Sequence, residues 1–314
     1  MAPLAATEVA DALARGGLVA VHTAQGWLAL ARASERGRLL GLAGVSAQRI
    51  ALTGGDTALL GEFLPPHGLR ARILLNRLLP GAVAISVAAE APPVRLPDHP
   101  LWPTLRSLRT PLLAVPLPTS DAPATRWPEL SIVAGDGVPQ AGESEVVVHA
   151  GKALKVITSA GPSTEAIFDA ARLHLLCVCS GNTCRSPMLS VLLRHHLLSR
   201  GMPEVRVESA GAMAAEGNPA SDHARTAMTA RGLSLDSHRS RPIDELELGL
   251  YDRFLCMTTA HAAFLRQYGI PDERLCVVNA DAGGVPDPYG GDQERYDRCA
   301  ETLERAVVAI VDGL

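Results

Sequence analysis

The sequence predicts an α/β protein of two units, and three observations carry the prediction. A chain of 314 residues, 47% hydrophobic and 20% charged, exceeds one ordinary domain and can bury two cores. Its second half alternates short apolar runs with helical patterns, the signature of a parallel sheet covered on both faces. Between the halves, Ser159-Ala160-Gly161-Pro162-Ser163 breaks the pattern. These features place one unit over 1–170 and a second over 171–314.

In the first unit, residues 5–15 have helical spacing, Gly16-Gly17 ends the helix, and 18–22 form a short β run. Further strands are expected at 82–88, 112–115 and 146–148. The stretch 118–128, rich in Pro, Ser, Thr and Asp, reads as a surface loop, and 164–172 as a short helix leading into the second unit. There the order is strand 173–179, helix 187–200 closed by Gly201, strand 204–209, helix 220–231, strand 254–257, helix 260–268, strand 275–278 and helix 293–311. In such a sheet, ligands bind beyond the carboxyl ends of the strands. The loop after 173–179 is therefore the place to look for chemistry.

Charge and cysteine usage narrow the function classes. Lys+Arg 29 against Asp+Glu 33 leaves a net charge of −4, which supplies no global attraction to nucleic acid or to an anionic membrane. Residues 1–170 hold 14 basic and 14 acidic side chains, so neither half is a basic module. The apolar run 112–117 is far shorter than the roughly 20 residues that cross a bilayer, and the N-terminus lacks the basic n-region of a signal peptide. A cytoplasmic location is expected. The six cysteines, Cys177, Cys179, Cys184, Cys256, Cys276 and Cys299, all fall in the second half and are expected to be reduced thiols rather than a disulfide scaffold.

The loop reads Cys179-Ser180-Gly181-Asn182-Thr183-Cys184-Arg185-Ser186-Pro187. A cysteine and an arginine separated by five residues, between a buried strand and a helix N-terminus, build an anion cradle from backbone amides and the helix dipole. Gly181 and Asn182 tolerate the left-handed backbone that a ring of inward-facing amides needs. The same field is expected to lower the pKa of Cys179 and make it a thiolate nucleophile. Arg185 offers a planar fork to two phosphoryl oxygens, and Ser186 a hydrogen bond to the sulfur.

Together with Ser209-Ala210-Gly211, Gly217-Asn218-Pro219-Ala220, Arg231-Gly232-Leu233, the segment 237–241, Cys256-Met257-Thr258 and Asp287-Pro288-Tyr289-Gly290-Gly291, this loop resembles the low-molecular-weight protein phosphatases over about 145 residues. The resemblance implies a three-layer αβα fold with a four-stranded parallel sheet and a cofactor-free, metal-free mechanism acting on phosphorylated protein. Cys179 would attack phosphorus, residues 180–186 would hold the phosphoryl oxygens, and Asp287 would be the general acid. Cys184 would be a second loop thiol able to form a reversible disulfide with Cys179. An arsenate reductase of related fold would need further relay thiols, and no close downstream cysteine pair supplies them.

Position 183 bears on the substrate. Threonine there, within Gly-Asn-Thr-Cys-Arg-Ser-Pro-Met, resembles the bacterial protein-arginine phosphatases, whereas tyrosine phosphatases of this type usually carry a branched apolar residue. Residues 212–215 bring no Trp or Tyr, leaving Tyr289 as the aromatic wall. Phosphoarginine is the expected substrate and phosphotyrosine or another aryl phosphate the alternative.

The first unit, through Gly16-Gly17-Leu18-Val19-Ala20-Val21-His22-Thr23, the run 94–100 and Glu143-Ser144-Glu145, resembles threonylcarbamoyl-AMP synthase domains, also called YrdC-like, with a twisted α/β sheet. That family's Lys-x-Arg is absent, since neither Lys152 nor Lys155 lies in the right segment, and 115–120 replaces its Ser-Ala-Asn stretch. The resemblance therefore implies an inactive domain kept for packing, for binding a nucleotide or small molecule, or for regulation. Residual adenylation is the rival.

Overall fold

A computed structural model of the protein describes residues 6–23, 26–42, 50–88, 91–96, 98–117, 126–128, 130–133, 143–149 and 151–314. Of the expected loop 118–128, residues 118–125 lie outside the described residues, as does Pro97 of the run 94–100. Two compact units divide the chain, Met1–Ala171 and Arg172–Leu314.

The first unit holds strands β1 (Leu18–Thr23), β2 (Gly26–Arg32), β3 (Ala51–Thr53), β4 (Val83–Ser86), β5 (Val94–Arg95), β6 (Leu112–Pro116), β7 (Leu130–Val133), β8 (Ser144–Val147) and β9 (Lys155–Ser159). Among the described residues they form one mixed sheet in the order β7-β1-β2-β6-β3-β5-β4-β8-β9. Helices α1 (Ala6–Ala14), α2 (Arg36–Leu40), α3 (Thr57–Phe63), α4 (Leu69–Leu78), α5 (Trp102–Leu105) and α6 (Thr164–Ala170) accompany it. The unbroken apolar character of β1 has a simple cause. Val19 and Val21 enter a core with Leu13, Leu74 and Ile85, while Leu18 and Ala20 enter a second core with Trp27 and Trp127. Alternate residues of a strand face opposite ways, so a sheet covered on both sides asks for apolar residues at every position.

A buried ion pair stands in this unit. The side chain of Arg95 is 9% exposed and that of its partner Glu143 19%; Arg95 Nε donates to Glu143 Oε1 at 2.5 Å and Nη2 donates to Oε2.

In the second unit, β10 (Leu173–Cys179), β11 (Val205–Gly211), β12 (Arg253–Cys256) and β13 (Leu275–Val277) make a four-stranded sheet in the order β11-β10-β12-β13, every neighbouring pair parallel. The interleaved helices are α7 (Arg185–Ser199), α8 (Asp222–Thr229), α9 (Thr259–Gln267) and α10 (Gln293–Asp312). Leu176 and Val178 of β10 share a core with Phe254 of β12 and with Ala262 and Leu265 of α9. Helix α7 packs on β10 and β11 and against α10.

Helix ends follow local chemistry. Gly201, at φ 68°, closes α7 in a Schellman arrangement, with Met202 N donating to Leu197 O and Gly201 N to Leu198 O, both at 3.0 Å. Asp292 caps α10 by accepting from Arg295 N at 3.0 Å. Helix α7 starts at Arg185, two residues before the sequence placed it. Pro187 sits in its first turn, where no intrahelical N–H bond is lost.

Candidate active site

The loop from β10 to α7 stands at the carboxyl end of the sheet. Its tightest point is Asn182, fully buried and left-handed at φ 53°. That strained conformation is fixed from every side. Asn182 Nδ2 donates to Ser186 Oγ at 2.9 Å and to Ser209 Oγ at 3.0 Å, Oδ1 accepts from Arg241 N at 2.9 Å, and its carbonyl accepts from His238 Nε2 at 2.7 Å. The bond from His238 sets its tautomer, because a carbonyl can only accept.

Gly211 closes β11 beneath the loop. A Cβ there would stand 2.5 Å from Ser180 O and 2.9 Å from Asn182 N, closer than atoms can approach, so the glycine after Ser209-Ala210 lets the two loops touch. Ala212 N and Met213 N then donate to Cys179 O and Ser180 O, each at 2.9 Å.

Cys179 is 2% exposed. Its Sγ lies 3.0 Å from Ser186 Oγ and accepts from Asn182 N at 3.3 Å. Burial pushes this thiol above its ordinary value, opposed by the bonds from Ser186 and Asn182 and by Arg185. This corrects the expectation of a lowered pKa. The physical reason is burial, which outweighs the lowering by Ser186, Asn182 and Arg185; in the same loop Arg185 Nη2 pairs with Asp287 Oδ2 and Nη1 donates to Val285 O at 3.2 Å. Arg185 Nε is buried without a hydrogen-bond partner, which leaves one donor of the fork unmatched.

A cavity of about 420 Å³ opens over this arrangement, lined by Cys179, Thr183, Arg185, Asp287 and Tyr289 together with Ser180, Gly181 and Cys184. The structure thus gathers the sequence-selected residues at one place. Asn182 and Ser186 stand behind it as supports for the loop. Tyr289 is 75% exposed, and its N–H donates to Asp287 Oδ1 at 3.2 Å. All six cysteines are free thiols. Cys184 Sγ lies 3.2 Å from Tyr296 OH and 3.4 Å from Ser221 Oγ.

Sequence reading missed several supports. His261 Nε2 lies 3.0 Å from Ser180 Oγ, and its Nδ1 lies 2.8 Å from Thr258 Oγ1; His238 and Tyr296 hold the loop from other directions. For His261 the available signal was Thr258-x-x-His261, an N-cap threonine with a hydrogen-bonding residue three positions on. His238 and Tyr296 reach the loop across 56 and 112 residues; the segment 237–241 is marked by the resemblance without a role for His238, and no local pattern marks Tyr296.

Comparison with known proteins meets this geometry. The family model described as low molecular weight phosphotyrosine protein phosphatase matches residues 174–314. A protein-arginine-phosphatase of Geobacillus stearothermophilus is 33% identical over 45% of this chain and 95% of its own length. A low molecular weight protein-tyrosine phosphatase A of Mycobacterium tuberculosis is 32% identical over 45% of this chain and 90% of its own. Among solved structures, a low molecular weight protein tyrosine phosphatase from T. tengcongensis aligns with 45% of this chain and 99% of its own, at 31% identity and a TM-score of 0.43. Through its second unit the chain belongs to the low molecular weight phosphotyrosine protein phosphatase family, and it is a cysteine-dependent hydrolase of that class.

Proposed function

We propose that the second unit hydrolyses phosphoarginine in proteins through a cysteinyl-phosphate intermediate. Thr183 is the observation that carries the substrate. It is half-buried and lines the cavity beside Cys179 and Arg185. Its hydroxyl has one side-chain neighbour among the described residues, the soft Cys184 Sγ at 3.6 Å, which leaves its bonding capacity for a guanidinium N–H or for the attacking water. The similar Geobacillus protein, a protein-arginine-phosphatase, supports the same reading. Tyr289 favours the alternative, an aryl phosphate, by offering a ring at the cavity mouth.

In this mechanism Cys179 Sγ attacks phosphorus from below while Arg185 and the loop amides hold the equatorial oxygens, where charge accumulates in the transition state. When Arg185 turns from Asp287 to the phosphoryl group, the freed carboxylate takes the proton that the Cys179 thiol gives up, passes it to the departing nitrogen, and then activates the water that cleaves the S–P bond. Ser186 hydrogen-bonds the sulfur at each stage. Cys184, a free thiol in the same loop, is the candidate partner for a reversible disulfide with Cys179.

The test is the ratio of kcat/KM on phosphoarginine and phosphotyrosine peptides of matched sequence, with Cys179→Ser as the inactive blank. A ratio above ten supports the proposal, and a preference for phosphotyrosine overturns the substrate. Thr183→Ile is expected to shift the ratio toward the aryl phosphate by about tenfold, on the order of one lost hydrogen bond.

We infer that the first unit is a YrdC-like domain without adenylating activity, retained to bind a nucleotide or small molecule as a regulator. Supporting this, Arg95 is tied to Glu143 at two points and the segments that carry the family's nucleotide contacts are replaced. ATP–pyrophosphate exchange is expected to be at background. Exchange that depends on threonine and bicarbonate would overturn the inference.

A further inference from the structure

A second cavity in the same unit, about 260 Å³, shares no lining residue with the catalytic one. Three arginines, Arg194, Arg239 and Arg241, line it together with His238, Glu208 and the hydroxyl-bearing Ser209, Ser234 and Ser237. Three guanidinium groups meet a single carboxylate there, a surplus of two positive charges while His238 is neutral. The carboxylate is already held, since Glu208 Oε2 accepts from Tyr251 OH at 2.6 Å and from Arg241 Nη2 at 3.0 Å. The neighbouring Asp236 is likewise engaged, by Ser234 Oγ at 2.9 Å.

Each arginine is anchored along one edge. Arg194 uses Nε and Nη2 on Ser190, Arg239 uses Nη1 on the carbonyls of Asp236 and His238, and Arg241 uses Nη2 on Glu208 and Ser209 O. A guanidinium has five N–H donors, so every one of the three keeps donors beyond its anchor. A preformed set of planar cations with serine hydroxyls suits a tetrahedral dianion.

The cavity backs onto the catalytic loop. Three of its lining residues, His238, Ser209 and Arg241, are the ones that bond the carbonyl, the side-chain amide and the side-chain carbonyl of Asn182. We propose that this cavity is a second site for a phosphate-type dianion, distinct from the catalytic site, and that its occupancy is transmitted to the catalytic loop through His238 and Asn182. Burial and the carbonyl bond act on the His238 imidazole together with the three guanidiniums, which disfavour its charged form. A dianion among those guanidiniums would offset their influence and strengthen the N–H that holds Asn182. The shared chemistry has two sources, free inorganic phosphate released by the reaction or a second phosphorylated side chain of the protein substrate.

The experiment is an NMR titration of the full chain with inorganic phosphate, and separately with O-phosphoserine, following the backbone amides of 180–186 and 234–241. Two dissociation constants are expected, one at 180–186 and one at 234–241, with the Asn182 amide shifting with both; an Asn182 amide that does not follow the second constant would overturn the transmission. The double variant R194Q/R239Q is expected to weaken binding at 234–241 by tenfold or more and to leave binding at 180–186 within threefold, which also shows that the variant is folded. Tighter binding of O-phosphoserine at 234–241 identifies a phosphorylated side chain as the source, and tighter binding of phosphate identifies the free anion. Amides at 234–241 that do not respond, or that respond equally in the double variant, would overturn the proposal.

Discussion

Two buried arginines, one in each unit, carry nearly the same immediate chemistry and differ in what can happen next. The side chains of Arg95 and Arg185 are 9% and 5% exposed, and each pairs with a carboxylate. Glu143, the partner of Arg95, is itself 19% exposed and takes both donors of the fork in a two-point contact. Asp287, the partner of Arg185, is 47% exposed and takes one donor; each guanidinium keeps one buried nitrogen unmatched, Nη1 of Arg95 and Nε of Arg185. A buried guanidinium with both faces of its carboxylate closed is a structural element. A carboxylate that is half exposed and held at one point can be received by solvent, so the guanidinium has a partner it can give up.

The sharpest way to break this comparison is to remove the carboxylate on the closed side. Glu143→Gln leaves the Arg95 charge buried without its counterion, and breaking a buried pair in this way costs roughly 3–5 kcal/mol. The first unit is expected to unfold at distinctly lower denaturant than in wild type, followed by intrinsic fluorescence of Trp27, Trp102 and Trp127, which all lie in that unit. A loss below about 1 kcal/mol would show that Arg95 is solvated in solution and that the two arginines are alike. The matching change on the open side, Asp287→Asn, is expected to cost less stability than Glu143→Gln, because the half-exposed position of Asp287 lets solvent reach the Arg185 charge that it leaves. Turnover should instead fall on the order of a hundredfold, as loss of a general acid does. Denaturation and steady-state kinetics on the same preparations check both halves.

This contrast also shows which parts of the molecule are legible in sequence. The four strands of the second unit and the loop 179–186 could be read directly, because apolar runs, a strand-to-helix turn and the Cys-to-Arg spacing are local signals. Asp287 and Tyr289 entered through the family resemblance and were brought to the same cavity by the fold. The scaffolding that makes the loop rigid was not legible: His261 meets Ser180 across 81 residues and His238 meets Asn182 across 56, so each is an ordinary histidine until the sheet brings the segments together. Cys179 teaches a related lesson. Its loop announces an anion site, yet the fold buries the thiol, and burial outweighs the loop's hydrogen bonds and the charge of Arg185.

The smallest expected effect concerns the closed supports of the open site. His261 is 7% exposed, and burial, reinforced by Arg185 and opposed by Asp287, holds its pKa below the ordinary histidine range. His238 is shifted in the same direction, chiefly by burial. A histidine whose pKa is lower folded than unfolded binds fewer protons in the native state, so the stability it confers is fully present above the unfolded value of about 6.5 and is lost as pH falls toward the folded value. The second unit should therefore lose melting temperature between pH 7.5 and pH 5.5. The variant His261→Gln, which keeps a polar partner for Ser180 but cannot titrate, should lose less over the same interval. An equal loss in wild type and variant would show that the imidazole titrates alike in the folded and unfolded chain, and acid would not loosen the loop at this point.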